Sequence, residues 1–367
     1  MSACKAASAL VGIAVGVAAC GPAVVQAKSK QVTALASGVA AGGRQTAQAR
    51  LNSINEADLV APLRPLASNA RPRSRGAAPG PDPIVIKAEV LLGRAHASPG
   101  VIDGLAGSNL GRAISAYEQM NGLPADGQLR PALWSRLTGD AQAKRPVAIT
   151  YTETAADVAG PFYPDVGDDF VAASKLPTLG YSGPAEELAA RFHMSEALLK
   201  ALNPGADFSR AGTTLLVVQP AVDALPPIDH LQVDKNAASV RAYDSQDDLV
   251  GSFPATVGSV EKPSPDGVRK VIGVSHNPTY TYDPSKLSWG PKSHGKFTIK
   301  PGPNNPVGLV WIALNAPGYG IHGSPNPDKI GKTASHGCVR LTNWDALLLA
   351  SAVKQGVEVA FVDRGSS

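Results

Sequence analysis

Apolar positions change period along this chain, and the change divides it. From Ile84 to about Leu137, Val85, Ala88, Leu91 and Leu92 recur at helical spacing. A Ser98-Pro99-Gly100 turn follows, and then a second helical face of Leu110, Ile114 and Tyr117 that ends near Asn121-Gly122. Pro131 suits the first turn of a short third helix. From Leu179 to Val218, Leu188 and Phe192 pair on one helix and Ser195 stands as N-cap of another carrying Leu198, Leu199 and Leu202. Asn203-Pro204-Gly205 stops that helix, and Thr213–Val218 reads as a strand. Beyond Pro227 the period becomes two: Leu231 and Val233, then Val240 and Ala242, then Phe253, Ala255 and Val257. Strands follow at Phe297–Ile299, Leu309–Leu314 and Val357–Val362, with one helix over Trp344–Val353 capped by Thr342 or Asn343. A mainly antiparallel β sandwich with a short helix is predicted there, behind two small helical units.

Composition adds boundaries. The 367 residues, 44% hydrophobic, suffice for two or three compact domains. Residues 28–83 are rich in Ala, Pro, Gly and Arg, and Pro62–Pro83 in particular reads as a disordered linker. Lys5 precedes an apolar run from Ala6 to Ala19, shorter than the roughly 20 residues of a membrane span, so residues 1–27 read as a signal peptide. Val17–Gly21 resembles a bacterial lipobox with Cys20 as the lipidated residue; cleavage after Ala27 competes with it. The expected address is the periplasm or cell envelope, with membrane contact only through such an anchor. A net charge of +4 without a dense basic-aromatic run argues against nucleic acid.

Signal removal takes Cys4, and Cys20 is either lipidated or removed, which leaves Cys338 as the one unmodified thiol. A lone thiol can be a packed small hydrophobe or a nucleophile. Its neighbours decide: Ile321-His322-Gly323 and, sixteen positions after His322, Cys338 inside Ser335-His336-Gly337-Cys338-Val339-Arg340-Leu341. A thiol attacks an acyl carbon as thiolate, and an imidazole can take its proton and later protonate the leaving amine.

The string IHG…SHGCVRL resembles the signature of L,D-transpeptidases with a YkuD-type catalytic domain, over roughly residues 229–363. The resemblance implies His322 as base, with the Gly323 carbonyl orienting its ring, and His336 as an active-site positioning residue. Gly337 would offer an oxyanion amide together with Cys338, Arg340 would bind a stem-peptide carboxylate, and Ser335 would hydrogen-bond in the loop or touch substrate. The segment SPGVIDGLAGSNLGRAISAYEQMNGLPADG, within 84–140, resembles a three-helix peptidoglycan-binding module. ELAARFHMSEALLKALNPG…AGTTLLVV, within 141–220, resembles a βααβ LysM unit whose first strand the pattern does not place.

The family implies acyl transfer on peptidoglycan without cofactor or metal. Cys338 attacks a tetrapeptide stem, D-alanine leaves, and an amine of a second stem or of an outer-membrane lipoprotein or other protein resolves the thioester. Water as acceptor would make a carboxypeptidase or amidase; a non-catalytic wall-binding adapter is the rival of another class. In Tyr280–Lys292, a long aromatic loop, Tyr282 and Trp289 either cover the acyl site or pack. His276 and His294 have no partner at a metal-binding spacing.

Overall fold

A computed structural model describes residues 45–63, 80–164, 166, 169–220, 222–259, 262–285, 295–335 and 337–363. The signal segment, Cys20, most of the Pro62–Pro83 tether, Trp289, His294 and His336 lie outside the described residues.

Four helices come first: α1 (Ala47–Asn55), α2 (Pro83–Arg94), α3 (Ser108–Met120) and α4 (Pro131–Gly139). Asp82 caps α2 through Ile84 N–H, with Pro83 in the first turn where a missing N–H costs nothing. α1 differs from the linker that composition predicts over 28–83. Thr46 caps it, Ile54 is buried, and Lys87 of α2 donates to the carbonyls of Asn55 and Ala57 at its end. One apolar pair in an Ala- and Gln-rich stretch suffices once α2 supplies the partner surface.

The next unit runs β1 (Ala148–Thr152), α5 (Phe170–Ser174), α6 (Pro184–Arg191), α7 (Glu196–Leu202) and β2 (Thr214–Val218). β1 and β2 pair antiparallel, Ala148 opposite Val218. Asn203 closes α7 onto this pair: its amide donates to the carbonyls of Leu199 and Leu216 and accepts from Leu216 N–H. The two units share one apolar core, from Val85 and Leu110 to Leu199 and Val217. Arg94, buried at the end of α2, joins them through five carbonyls: Gln142, Arg145 and Pro146 before β1, Gln219 and Pro220 after β2. Carbonyls alone satisfy this guanidinium, which burial pulls down to a pKa of about 10, so it stays charged at neutral pH.

The remaining strands are β3 (His230–Asp234), β4 (Ser239–Tyr243), β5 (Leu249–Pro254), β6 (Gly267–His276), β7 (Tyr280–Tyr282), β8 (Phe297–Ile299), β9 (Val310–Leu314), β10 (Gly320–His322), β11 (Val339–Arg340) and β12 (Glu358–Val362), with α8 (Asn343–Ala352) before β12. β7 and β8 form a separate two-stranded ribbon. The other eight make one sheet in the order β11-β10-β9-β6-β12-β3-β4-β5.

This corrects the expected sandwich in two respects. The sheet is mixed, since β12 runs parallel to β3 and β10 parallel to β11. It is also one sheet curled until its ends meet: past β5, Thr256 exchanges both backbone hydrogen bonds with Arg340 of β11, each 2.9 Å. The enclosed core includes Leu231, Val240, Phe253, Ile312, Ile321 and Leu349.

The upstream units dock on this sheet through the backbone. Ser98 N–H donates to Ser252 of β5 at 2.8 Å, and Ser252 N–H to His96 at 2.9 Å. Part of the free edge of β5 is thereby covered. Ser98 Oγ also donates to the buried Asp345 carboxylate of α8 at 3.0 Å.

Candidate active site

β10 carries His322 and β11 follows directly on Cys338. Their parallel register sets Ile321 opposite Val339 and His322 opposite Arg340. Cross-strand partners share a face, and in extended chain Cys338 and Arg340 share one by period two. His322, Cys338 and Arg340 therefore converge on one side of the sheet end.

His322 is buried, with Nδ1 2.6 Å from the Gly323 carbonyl. A carbonyl only accepts, so Nδ1 carries the proton and Nε2 holds the free lone pair. Trp311 stacks on the ring, centroids 5.2 Å apart at 19°. The same indole leaves room only for glycine at 320, where a Cβ would come within 2.6 Å of it. Gly323 is equally constrained, because a Cβ there would run into Asn343 Oδ1. Asn343, at the start of α8, spends its amide on Leu309 N–H and the Pro303 carbonyl, and so fixes the wall behind the His322–Gly323 bond. Thr342 caps α8 through Asp345 N–H.

Cys338 is half-buried and its Sγ lies 3.6 Å from the Gly318 carbonyl. Burial raises the thiol pKa above its ordinary value, against smaller downward pulls from the Gly320 backbone and Arg340. Burial also lowers His322, to about 4, outweighing the upward effect of the Gly323 hydrogen bond. At rest and neutral pH both groups are uncharged, a thiol and an imidazole on the same face of the sheet end.

Ser335 and Gly337 shape the turn before Cys338. Ser335 is buried at 2% exposure, donates to the Cys338 carbonyl at 2.6 Å and accepts from Gly337 N–H at 3.1 Å. Of the two roles expected for Ser335, the hydrogen bond within the loop is the one seen, and it commits the hydroxyl there rather than to substrate. It also directs the Gly337 amide inward. Gly337 has φ +113°, and a Cβ there would meet the Tyr319 ring at 2.8 Å, so only glycine fits. Ser264 braces the turn from the other side, donating to the Gly337 carbonyl at 2.8 Å.

Arg340 is half-buried. Its Nε is buried without a hydrogen-bond partner, and among the described residues no carboxylate forms an ion pair with it. Burial pushes the Tyr280 phenol up to about 12, with smaller effects from Cys338, Tyr282 and Arg340. Of the two roles open to Tyr282, covering the site or packing, it takes the second: it is fully buried between Phe170 and Phe297. Ser264, Tyr280, Tyr319 and Asn343 were not anticipated as parts of the site. Tyr280 figured only in the aromatic stretch and Asn343 only as a candidate helix cap. Among the described residues no group of three His, Cys, Asp or Glu could hold a metal ion, and no helix is long and apolar enough to cross a membrane.

The YkuD L,D-transpeptidase catalytic domain matches residues 228–360. The L,D-transpeptidase-family protein YkuD of Bacillus licheniformis is 30% identical over 181 residues, 48% of this chain and 91% of its own length. YbiS of Escherichia coli, of the same family, is 30% identical over 225 residues, 59% of this chain and 72% of its own. A solved structure, L,D-transpeptidase 3 from Mycobacterium tuberculosis, is 16% identical over 41% of this chain and 68% of its own, with a TM-score of 0.31. The chain belongs to the L,D-transpeptidase family.

Proposed function

We propose that the protein is a cysteine L,D-transpeptidase of the cell envelope acting on peptidoglycan stem peptides. The observation that carries this reading is the bond from His322 Nδ1 to the Gly323 carbonyl, which leaves Nε2 as acceptor on the face shared with Cys338.

In the first step His322 takes the Cys338 proton as sulfur attacks the carbonyl carbon before the terminal D-alanine. The backbone amide of Cys338 stabilises the oxyanion, with Gly337 holding the turn. The C–N bond breaks, His322 returns the proton to the leaving amine, and a thioester remains. In the second step an amine of another stem attacks the thioester and the thiol is restored, giving a 3→3 crosslink. Arg340 receives a stem carboxylate through its planar fork. His336, outside the described residues, keeps a positioning role in this reading. The units at 84–140 and 141–220 act as peptidoglycan-binding and LysM-like parts that hold glycan beside the site. The 1–27 segment exports the chain.

Purified protein incubated with disaccharide-tetrapeptide should yield D-alanine and crosslinked dimer, resolved by mass. Tripeptide without dimer would identify water as the acceptor and sink the transpeptidase reading. Full loss of both products in Cys338→Ser is expected; an active serine variant would remove Cys338 from the nucleophile role.

A further inference from the structure

The proposed reading leaves the upstream helices as binding parts, yet α3 reaches the segment that carries the nucleophile. Asn109, in the first turn of α3, is 5% exposed. Its Nδ2 donates to the Ile330 carbonyl at 2.9 Å, across more than two hundred residues and eight before Cys338. Gly331, next along, has φ +72°, and a Cβ there would come within 2.5 Å of Asn109 Oδ1. Arg112, one turn along α3, holds that oxygen.

The gripped segment connects directly to the site. Gly331 N–H donates to Thr256 Oγ at 3.1 Å, and Thr256 Oγ donates to the Lys329 carbonyl at 3.2 Å. The backbone of this same Thr256 closes the sheet on Arg340. A second contact lies alongside, where Lys332 pairs with Asp103 before α3 at 3.3 Å. Residues 329–332 are thus clamped between α3 and Thr256, and neither clamp belongs to the SHGC turn. A short buried amide, a neighbour restricted to glycine and a carbonyl with a dedicated donor are more than a loose docking surface requires.

We propose that Asn109 is a positioning residue for Cys338, and that the upstream helical unit is a built-in part of the active site. This rests on the reading of Cys338 as nucleophile. The chain of contacts runs from Asn109 to Ile330 and Gly331, then to Thr256, Arg340 and the turn at Cys338. Release of the Ile330 carbonyl lets the segment shift, and small displacements of a nucleophile are costly because attack needs near-contact geometry.

The test uses the full chain. Asn109→Asp keeps size and the acceptor for Arg112 but presents an oxygen to the Ile330 carbonyl. Its kcat for D-alanine release should fall about ten-fold, with KM for the tetrapeptide within about two-fold. Iodoacetamide labelling of Cys338, followed on its own proteolytic peptide to separate it from Cys4 and Cys20, should slow in parallel. Gln119→Ala removes a contact of the same helix with Arg241, away from the segment, and should retain wild-type kcat. Wild-type kcat and labelling in Asn109→Asp would overturn the proposal, as would an equal loss in Gln119→Ala. If Asn109→Asp does not fold, Arg112→Ala decides: about a three-fold fall in kcat supports the proposal, and no change overturns it. A wild type that releases no D-alanine would fail the functional reading, while the labelling comparison would still decide the role of Asn109.

Discussion

His322 stands directly across β10 and β11 from Arg340, while its own Nδ1 is held 2.6 Å from the Gly323 carbonyl. Imidazole and guanidinium thus share a face, and the cation contributes to depressing the imidazole pKa and to lowering that of the thiol. Burial dominates both groups, and it moves them apart in opposite directions: thiol up, imidazole down to about 4. A preformed thiolate–imidazolium pair would need the reverse.

The pH dependence of the free enzyme follows. Because the thiol pKa is raised, thiolate is scarce at neutral pH and grows as pH rises toward that value. Alkylation of Cys338 by iodoacetamide should climb about ten-fold per pH unit from 7 to 8.5, as for a single ionisation above the range. A rate already level at pH 7 would show a stabilised ion pair and contradict the assignment.

Arg340 faces the site with a buried Nε that has no partner. Arg340→Lys keeps the charge and loses the fork, so kcat/KM for the tetrapeptide should drop about ten- to a hundred-fold, as expected for charge-assisted bonds of roughly 1.5–3 kcal/mol. A stem amidated at the carboxylate should narrow the gap between variant and wild type. Equal losses on both stems would make Arg340 a structural residue.

The candidate site was more legible than the architecture. The SHGC string with His322 sixteen positions before Cys338 marked its place in the chain, and the helices around Leu110 and Leu198 showed in their periodicity. β1 did not, because it is only five residues long with Thr150 and Thr152 exposed, and its partner β2 lies beyond three helices. Closure of the sheet was equally hidden: alternation states which face of a strand is buried, not which strand lies next to it. Ser335 illustrates the same limit at the site, since a serine three residues before Cys338 has the same letter whether it meets substrate or, as here, its own loop. Asn109 and Arg94 act through carbonyls of distant segments, and a carbonyl leaves no mark in a sequence.

Arg94 offers a test of the shared upstream core. Lysine has three donors on one atom and cannot reach carbonyls on both sides of β1 and β2. Arg94→Lys should lower the unfolding free energy by about 3 kcal/mol, in line with one to two buried acceptors left unpaired. The urea midpoint would fall accordingly. A shift below a quarter of that size would mean that water replaces the lost bonds.

The buried pair of Ser98 and Asp345 gives the last prediction. Burial raises the Asp345 pKa from 3.8 to about 7, against the downward pull of its bonds to Thr342 and Ser98. Its folded value thus lies above its unfolded one, so the folded state holds the proton more tightly. Stability from this group is complete below about 4 and is lost as pH rises through about 7. Asp345→Asn mimics the neutral acid, keeps an oxygen for the Ser98 hydroxyl and leaves the Thr342 cap on the backbone intact. At pH 8 the variant should melt about 2 °C or more above wild type, and the gap should close toward pH 4. A variant less stable than wild type at pH 8 would mean that Asp345 is held there as a useful carboxylate, with Ser98 and the first turn of α8 outweighing its burial.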